Sequence, residues 1–373
     1  MIPVWNGQTV FLWRFCLMQD KHNSNGFYDL YHNPFTGNSE PRGYTYVAGY
    51  GFSPPPRADY ERRMIRTYSS GIAMMLLCFL LLSGPVYQLI LTLETMLFGQ
   101  FMTYDGYPAA AEIANMGAYV LALLLPAVLY CRRIRIPTYN AFPLSQPRDT
   151  RIALAAIPIT LMTVVVGAYT ASAMSVFFAA FGLYPTSPVS AVPTGVVPFV
   201  LYFLSSAVLP AIVEELVFRG AIMQSLRRFG DTFALFVSSL LFGLVHGNLV
   251  QAPMAFVTGL AIGYFVLRTG SLRTGMAIHF VNNALAVVLS AISASFSING
   301  QQTITSIVYV VYLLSGFIAM GWLLTRYSNM FQLHASNTVM SIRGKLTAFF
   351  STGLMLALLA LLAFTTSKYF LVI

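Results

Sequence analysis

Nine stretches of roughly 20 apolar residues, separated by short polar loops, leave this chain few folds to choose from. The hydrocarbon core of a bilayer is about 30 Å thick, and about 20 helical residues are needed to cross it. The stretches run over roughly 70–92, 112–131, 153–181, 195–224, 232–249, 252–268, 274–295, 304–325 and 347–367. Only 9% of the 373 residues are charged and the mean hydropathy is +0.69, where soluble domains carry about 25% charge. A backbone that crosses hydrocarbon must satisfy its own hydrogen bonds. The expected fold class is therefore all-α: a polytopic transmembrane helical bundle of nine spans.

Basic residues give the orientation, because lysine and arginine collect on the cytoplasmic side. Setting aside Arg219, 19 of the remaining 20 lie either in the tail before the first span or in the even-numbered loops. Arg14 to Arg66, Arg132 to Arg151, Arg227 and Arg228, Arg268 and Arg273, and Arg326 to Lys345 make up this set, and only Lys368 lies opposite. The N-terminus is expected in the cytoplasm. The net charge of +9 then anchors helix ends among anionic lipids, and no nucleic-acid partner is called for.

Residues 1–69 read as a flexible cytoplasmic tail rich in Tyr, Gly and Pro, and 70–373 as the transmembrane domain. No cleavable signal peptide is expected, since the first strong apolar run starts near residue 70. Cys16, Cys78 and Cys131 have no CxxC pairing, so neither a disulfide framework nor a zinc ribbon is indicated.

Only five acidic, basic or histidine side chains fall well inside the apolar stretches: Glu214, Glu215, Arg219, His246 and His279. A charge in hydrocarbon costs several kcal/mol, so such groups face a protein interior or a wet cavity. Glu215 and Arg219 stand four residues apart and share a helix face, which favours an ion pair. Glu214 points elsewhere, free to handle protons. Phe242 and His246 also stand four apart, as do His279 and Asn283. Asn283 can donate two hydrogen bonds without charge, which suits an oxyanion in a low-dielectric cavity; Asn282 points about 100° away. At about 1.5 Å per residue, Glu214 lies roughly 20 Å from Arg227 and His246 roughly 22 Å from Asp231, with His279 and Asn283 about 9 and 15 Å from Arg273. These groups share one level only if the 225–232 hairpin projects into the cytoplasm.

Glu214-Glu215-Leu-Val-Phe-Arg219, Phe242-xxx-His246 and His279-xxx-Asn283, in that order on successive apolar segments, resemble the CPBP family: the CAAX-protease and bacteriocin-processing (Abi) intramembrane endopeptidases. The resemblance covers about residues 195–295, a catalytic core in spans 4–7. It implies hydrolysis of a peptide bond in a membrane-associated peptide or protein. Glu214 and His246 would activate water, His279 and Asn283 would stabilise the oxyanion, and Glu215, Arg219 and Phe242 would support them. No tightly bound metal is expected. A Zn²⁺, if held, would take Glu214, His246 and His279 as three ligands with an open position. The tail and loops are bacterial in style, pointing to a multi-pass protein of a bacterial cell membrane.

Two other classes fit parts of the pattern. An ion-coupled transporter also places Glu, His and Arg within the membrane, but no internal repeat or second charged cluster accompanies them. A non-catalytic bacteriocin-immunity protein shares the family, and its protection would survive loss of both Glu214 and His279.

Overall fold

The computed structural model describes residues 45–47, 51–53, 58–98, 108–187, 192–327, 329–333 and 338–372. The chain divides into two compact units. The described part of the smaller, 1–57 with 337–339, includes an antiparallel pair of three-residue strands, β1 (Thr45–Val47) and β2 (Gly51–Ser53). The flexibility expected of residues 1–44 lies outside the described residues.

The larger unit is helical. Its elements are α1 (Ala58–Phe98), α2 (Ala109–Arg133), α3 (Thr150–Ala179), α4 (Val196–Phe229), α5 (Asp231–Val245), α6 (Ala252–Thr269), α7 (Leu272–Ser293), α8 (Ile298–Arg326), α9 (Ile342–Phe350) and α10 (Gly353–Ser367). One small antiparallel pair, β3 (Leu183–Pro185) with β4 (Phe370–Val372), joins the α3–α4 connection to the C-terminal end. Among the described residues, seven helices are long and apolar enough to cross a bilayer, and eight if the α9–α10 pair is one bent span. The fold is thus an all-α polytopic bundle.

Three details differ from the sequence reading. First, α1 begins at Ala58, so residues 58–69 belong to the first helix and not to the tail. This extension carries Arg62, Arg63 and Arg66, which hydropathy excludes from a span although nothing in them forbids helix. Second, α5 holds 15 residues, about 22 Å at the helical rise, and stops at Val245. Gly247, at φ 67°, takes the left-handed conformation that ends helices and that only glycine adopts without cost. Third, α9 and α10 meet at 75°. There Thr352 caps α10 by accepting from the Met355 N–H, and the Ser69 hydroxyl of α1 meets both Thr352 Oγ1 and the Phe349 carbonyl. A polar residue in an apolar run lets the backbone turn because its side chain supplies the lost partner.

Packing sets the core where helices cross. α1 lies against α2, α6 against α3 and α5, α3 against α8, and α7 against the centre of α4. Fully buried Phe218, Ile222, Met223, Phe233 and Leu241 fill the space between α4 and α5. Arg227 pairs with Asp231 at 2.7 Å across the α4–α5 turn, and Lys345 Nζ donates to the Phe229 carbonyl at 2.6 Å. The 227–231 hairpin is therefore covered by protein, with Arg227 and Asp231 almost fully buried. Outside the spans, Tyr327 donates to Asp149, and that hydrogen bond holds the Asp149 carboxyl below its usual range.

Candidate active site

The site is built around a helix that is not regular. Within α4 the backbone widens into π-helical turns at Leu204–Val208 and Glu215–Ile222. Such turns recur at functional sites, because the extra residue re-aims side chains. Pro210 offers one local cause. It has no N–H to give the carbonyl of residue 206 four positions back, and its ring crowds that carbonyl. The Ser206 carbonyl instead accepts from Asn283 Nδ2 of α7 at 3.2 Å. A proline in one helix is thus answered by an amide in the next, which is how membrane helices tolerate proline.

Glu215 and Arg219 make the ion pair expected from their spacing. The Nη1–Oε1 distance is 2.7 Å and both side chains are 0% exposed. Arg219 Nη2 also donates to the Gly259 carbonyl at 3.4 Å, and its guanidinium lies 4.1 Å from the centre of the Phe242 ring. A cation over an aromatic face in a desolvated site gains about 2 kcal/mol. Two glycines make room for the pair. A Cβ at Gly275 would stand 2.7 Å from Glu215 Oε2, and one at Gly259 would stand 3.2 Å from Arg219 Nη2 and 3.0 Å from the Phe242 ring.

His279 joins the two acids. Its Nδ1 is 2.9 Å from Glu215 Oε1 and its Nε2 is 3.7 Å from Glu214 Oε2. Glu215 Oε1 already accepts from Arg219, so Nδ1 is placed to donate to it. Glu214 keeps 17% side-chain exposure, and its Oε1 accepts from the Tyr119 hydroxyl of α2 at 2.6 Å. The two neighbouring acids are therefore different in kind: Glu215 is consumed by buried partners, and Glu214 remains open.

His246 sits just beyond the last residue of α5, not in a continuing helix. Its Nδ1 is 2.8 Å from the Phe242 carbonyl, which can only accept, so Nδ1 bears the hydrogen and Nε2 is the free base. Phe242 packs edge-on against both histidines, at 5.1 Å from His246 and 5.9 Å from His279. Asn283 lies one turn beyond His279, and its Oδ1 accepts from Asn282 at 3.0 Å. With one Nδ2 hydrogen on Ser206, the second is left for another acceptor. Asn282 thus orients Asn283.

The structure brings Glu214, Glu215, Arg219, Phe242 and His279 into direct contact. It ties His246 to them through Phe242, and Asn283 through α7. Among the described residues, no group of three or more His, Cys, Asp or Glu side chains could hold a metal ion. Of the contingent zinc set, His279 Nε2 and Glu214 Oε2 stand 3.7 Å apart, and His246 Nε2 is the third atom that such a set would use. Tyr119 was not identified from sequence. A neutral hydroxyl in an apolar stretch carries no desolvation signal of the kind that exposes a charge.

Among known families, the type II CAAX prenyl endopeptidase Rce1-like family matches residues 196–285. The match covers α4 to most of α7, the segment that carries Glu214, Glu215, Arg219, His246 and His279. No curated protein and no solved structure matches the chain.

Proposed function

We propose, from the premise that this chain belongs to the CAAX-protease (CPBP) family through residues 196–285, that it is an intramembrane endopeptidase. It hydrolyses a peptide bond of a membrane-associated peptide or protein. The observation that carries the reading is the asymmetry of the adjacent acids. Glu215 is locked to Arg219 and His279 with no exposure, whereas Glu214 keeps an exposed edge 3.7 Å from an imidazole nitrogen.

In the proposed reaction, Glu214 and the free Nε2 of His246 take a proton from water as its oxygen attacks the carbonyl carbon. A positioned base of this kind contributes about 10²–10⁴-fold. The tetrahedral oxyanion accepts from the spare Nδ2 hydrogen of Asn283 and from His279. Because Nδ1 of His279 already faces Glu215, it donates to the oxyanion only when Nε2 is protonated as well. Collapse of the intermediate breaks the C–N bond, and the proton taken from water goes to the leaving amine. Water is consumed, and an acid and an amine are formed. Tyr119 fixes Glu214, and Arg219 and Phe242 fix the Glu215–His279 pair. No step passes through a metal.

The compartment proposed is a bacterial cell membrane, with the N-terminus in the cytoplasm. The test uses wild-type protein and the Glu214→Gln and His246→Ala variants in proteoliposomes. Each is given a prenylated peptide and unprenylated transmembrane peptides as probes, with mass spectrometry of the new ends in ¹⁸O-water. One ¹⁸O in the new carboxylate, with wild type only, supports hydrolysis at this site. Equal cleavage by both variants contradicts it.

A further inference from the structure

We propose that a groove between α1 and α2, apart from the acids and histidines above, is a binding site for one anionic phospholipid. The groove encloses about 600 Å³ and is closed at one side by Leu354 of α10. That volume lies within the range of small-ligand sites, about 300–1,000 Å³. Its lining changes character along its length. At one end stand Arg66 and Arg133, with the hydroxyls of Thr67 and Ser70, and beyond them the walls are apolar, including Met75, Cys78 and Leu129.

The charge pattern identifies the occupant. Arg66 and Arg133 are both exposed, and among the described residues neither forms an ion pair. They come from different helices but line the same mouth. Two unneutralised guanidinium groups above an apolar trough match a phosphate with an attached chain, since arginine binds phosphate oxygens in a fork. Both residues belong to the positively charged side read from the loops, where basic pockets between helices take anionic headgroups. From Arg66 to Cys78 is twelve residues of helix, about 18 Å, close to the ~15 Å depth of one leaflet. A headgroup on the arginines would therefore lay its chain along the trough to mid-membrane.

The floor of the groove is fixed. The Tyr130 ring lies so close over Gly71 that a Cβ there would stand 2.8 Å from it, and the Tyr130 hydroxyl is pinned to Ser225 at 2.9 Å. A lipid bound here would bridge α1 and α2 beside the root of α4.

The test is native mass spectrometry of the full-length protein released from micelles containing equimolar dioleoyl phosphatidylglycerol and dioleoyl phosphatidylcholine. Wild type should retain one phosphatidylglycerol in preference to phosphatidylcholine. Removing one arginine should weaken retention about fivefold, and Arg66→Ala with Arg133→Ala about thirtyfold. The neighbouring pair Arg62→Ala with Arg132→Ala, which does not line the groove, should keep the preference. Thr67→Trp, an exposed position whose new ring would fill the mouth, should exclude the lipid with both arginines present. Equal losses in the two double variants would mean diffuse charge attraction and overturn the site, as would unchanged retention in Thr67→Trp.

Discussion

Replacing Arg219 with methionine should destabilise the protein by about 3–5 kcal/mol, the cost of stranding one member of a buried ion pair. The structure gives reasons to expect the full amount. Glu215 is 0% exposed, and its Oε2 has no hydrogen-bond partner among the described residues. After the substitution its carboxylate keeps only the His279 N–H at 2.9 Å. Methionine restores much of the lost volume over the Phe242 ring and gains about 0.3–1.5 kcal/mol of sulfur–aromatic contact, so charge, not packing, dominates the loss. The assay is equilibrium unfolding of the micelle-bound protein by titration with SDS. Adding Glu215→Gln to Arg219→Met removes the stranded charge and should recover most of the loss, to within about 1–2 kcal/mol of wild type. A single variant costing under about 1 kcal/mol would refute the reasoning, because a buried unpaired carboxylate is not that cheap. A double variant no better than the single would refute it too, by showing that shape matters and charge does not.

Tyr119→Phe removes a hydrogen bond to a charged group, worth about 1.5–3 kcal/mol. Turnover should fall about 10- to 150-fold with KM little changed, and an unchanged kcat would remove Tyr119 from the site. Gly275→Ala puts a Cβ 2.7 Å from Glu215 Oε2, and such overpacking costs about 1–3 kcal/mol; SDS titration at wild-type stability would show that α7 yields there. Treatment with 1,10-phenanthroline should leave cleavage intact, since the proposed reaction uses carboxylate and imidazole bases and no metal. Loss of cleavage restored by Zn²⁺ would contradict the metal-free reaction.

The parts of this protein legible in sequence were those whose alternatives are energetically closed. Nothing bland explains Glu214, Glu215, Arg219, His246 and His279 inside apolar stretches, so a shared polar site followed, and the Glu215–Arg219 pair followed from spacing alone. The pairing holds although the backbone there is π-helical, because residues four apart remain neighbours in either geometry. The irregular backbone itself was half visible: Pro210 flagged a break, but the answering Asn283–Ser206 bond needs the packing of α7 on α4.

Other features carried no such signal. Gly275 and Gly259 look like any glycines until Glu215 and Arg219 are placed beside them. The length of α5 was misjudged because the stretch was carried across His246, Gly247 and Asn248 to Leu249, while the helix ends at Val245. Basic-residue counting could not catch this: α5 and α6 form a hairpin, so the chain returns to the same side whether or not α5 reaches the far face. The bend at Thr352 depends on Ser69, 283 residues away, a contact no local pattern reports.

Comparison of the membrane-protein termini of cells carrying wild-type protein with those carrying Glu214→Gln tests the central claim most directly. Glu214 holds the exposed edge of an otherwise sealed cluster, and glutamine keeps its shape and its Tyr119 contact while losing the base. New peptide ends should appear in wild-type membranes and vanish with Glu214→Gln, at equal levels of folded protein. Identical sets of termini in the two strains, with both proteins folded, would contradict it.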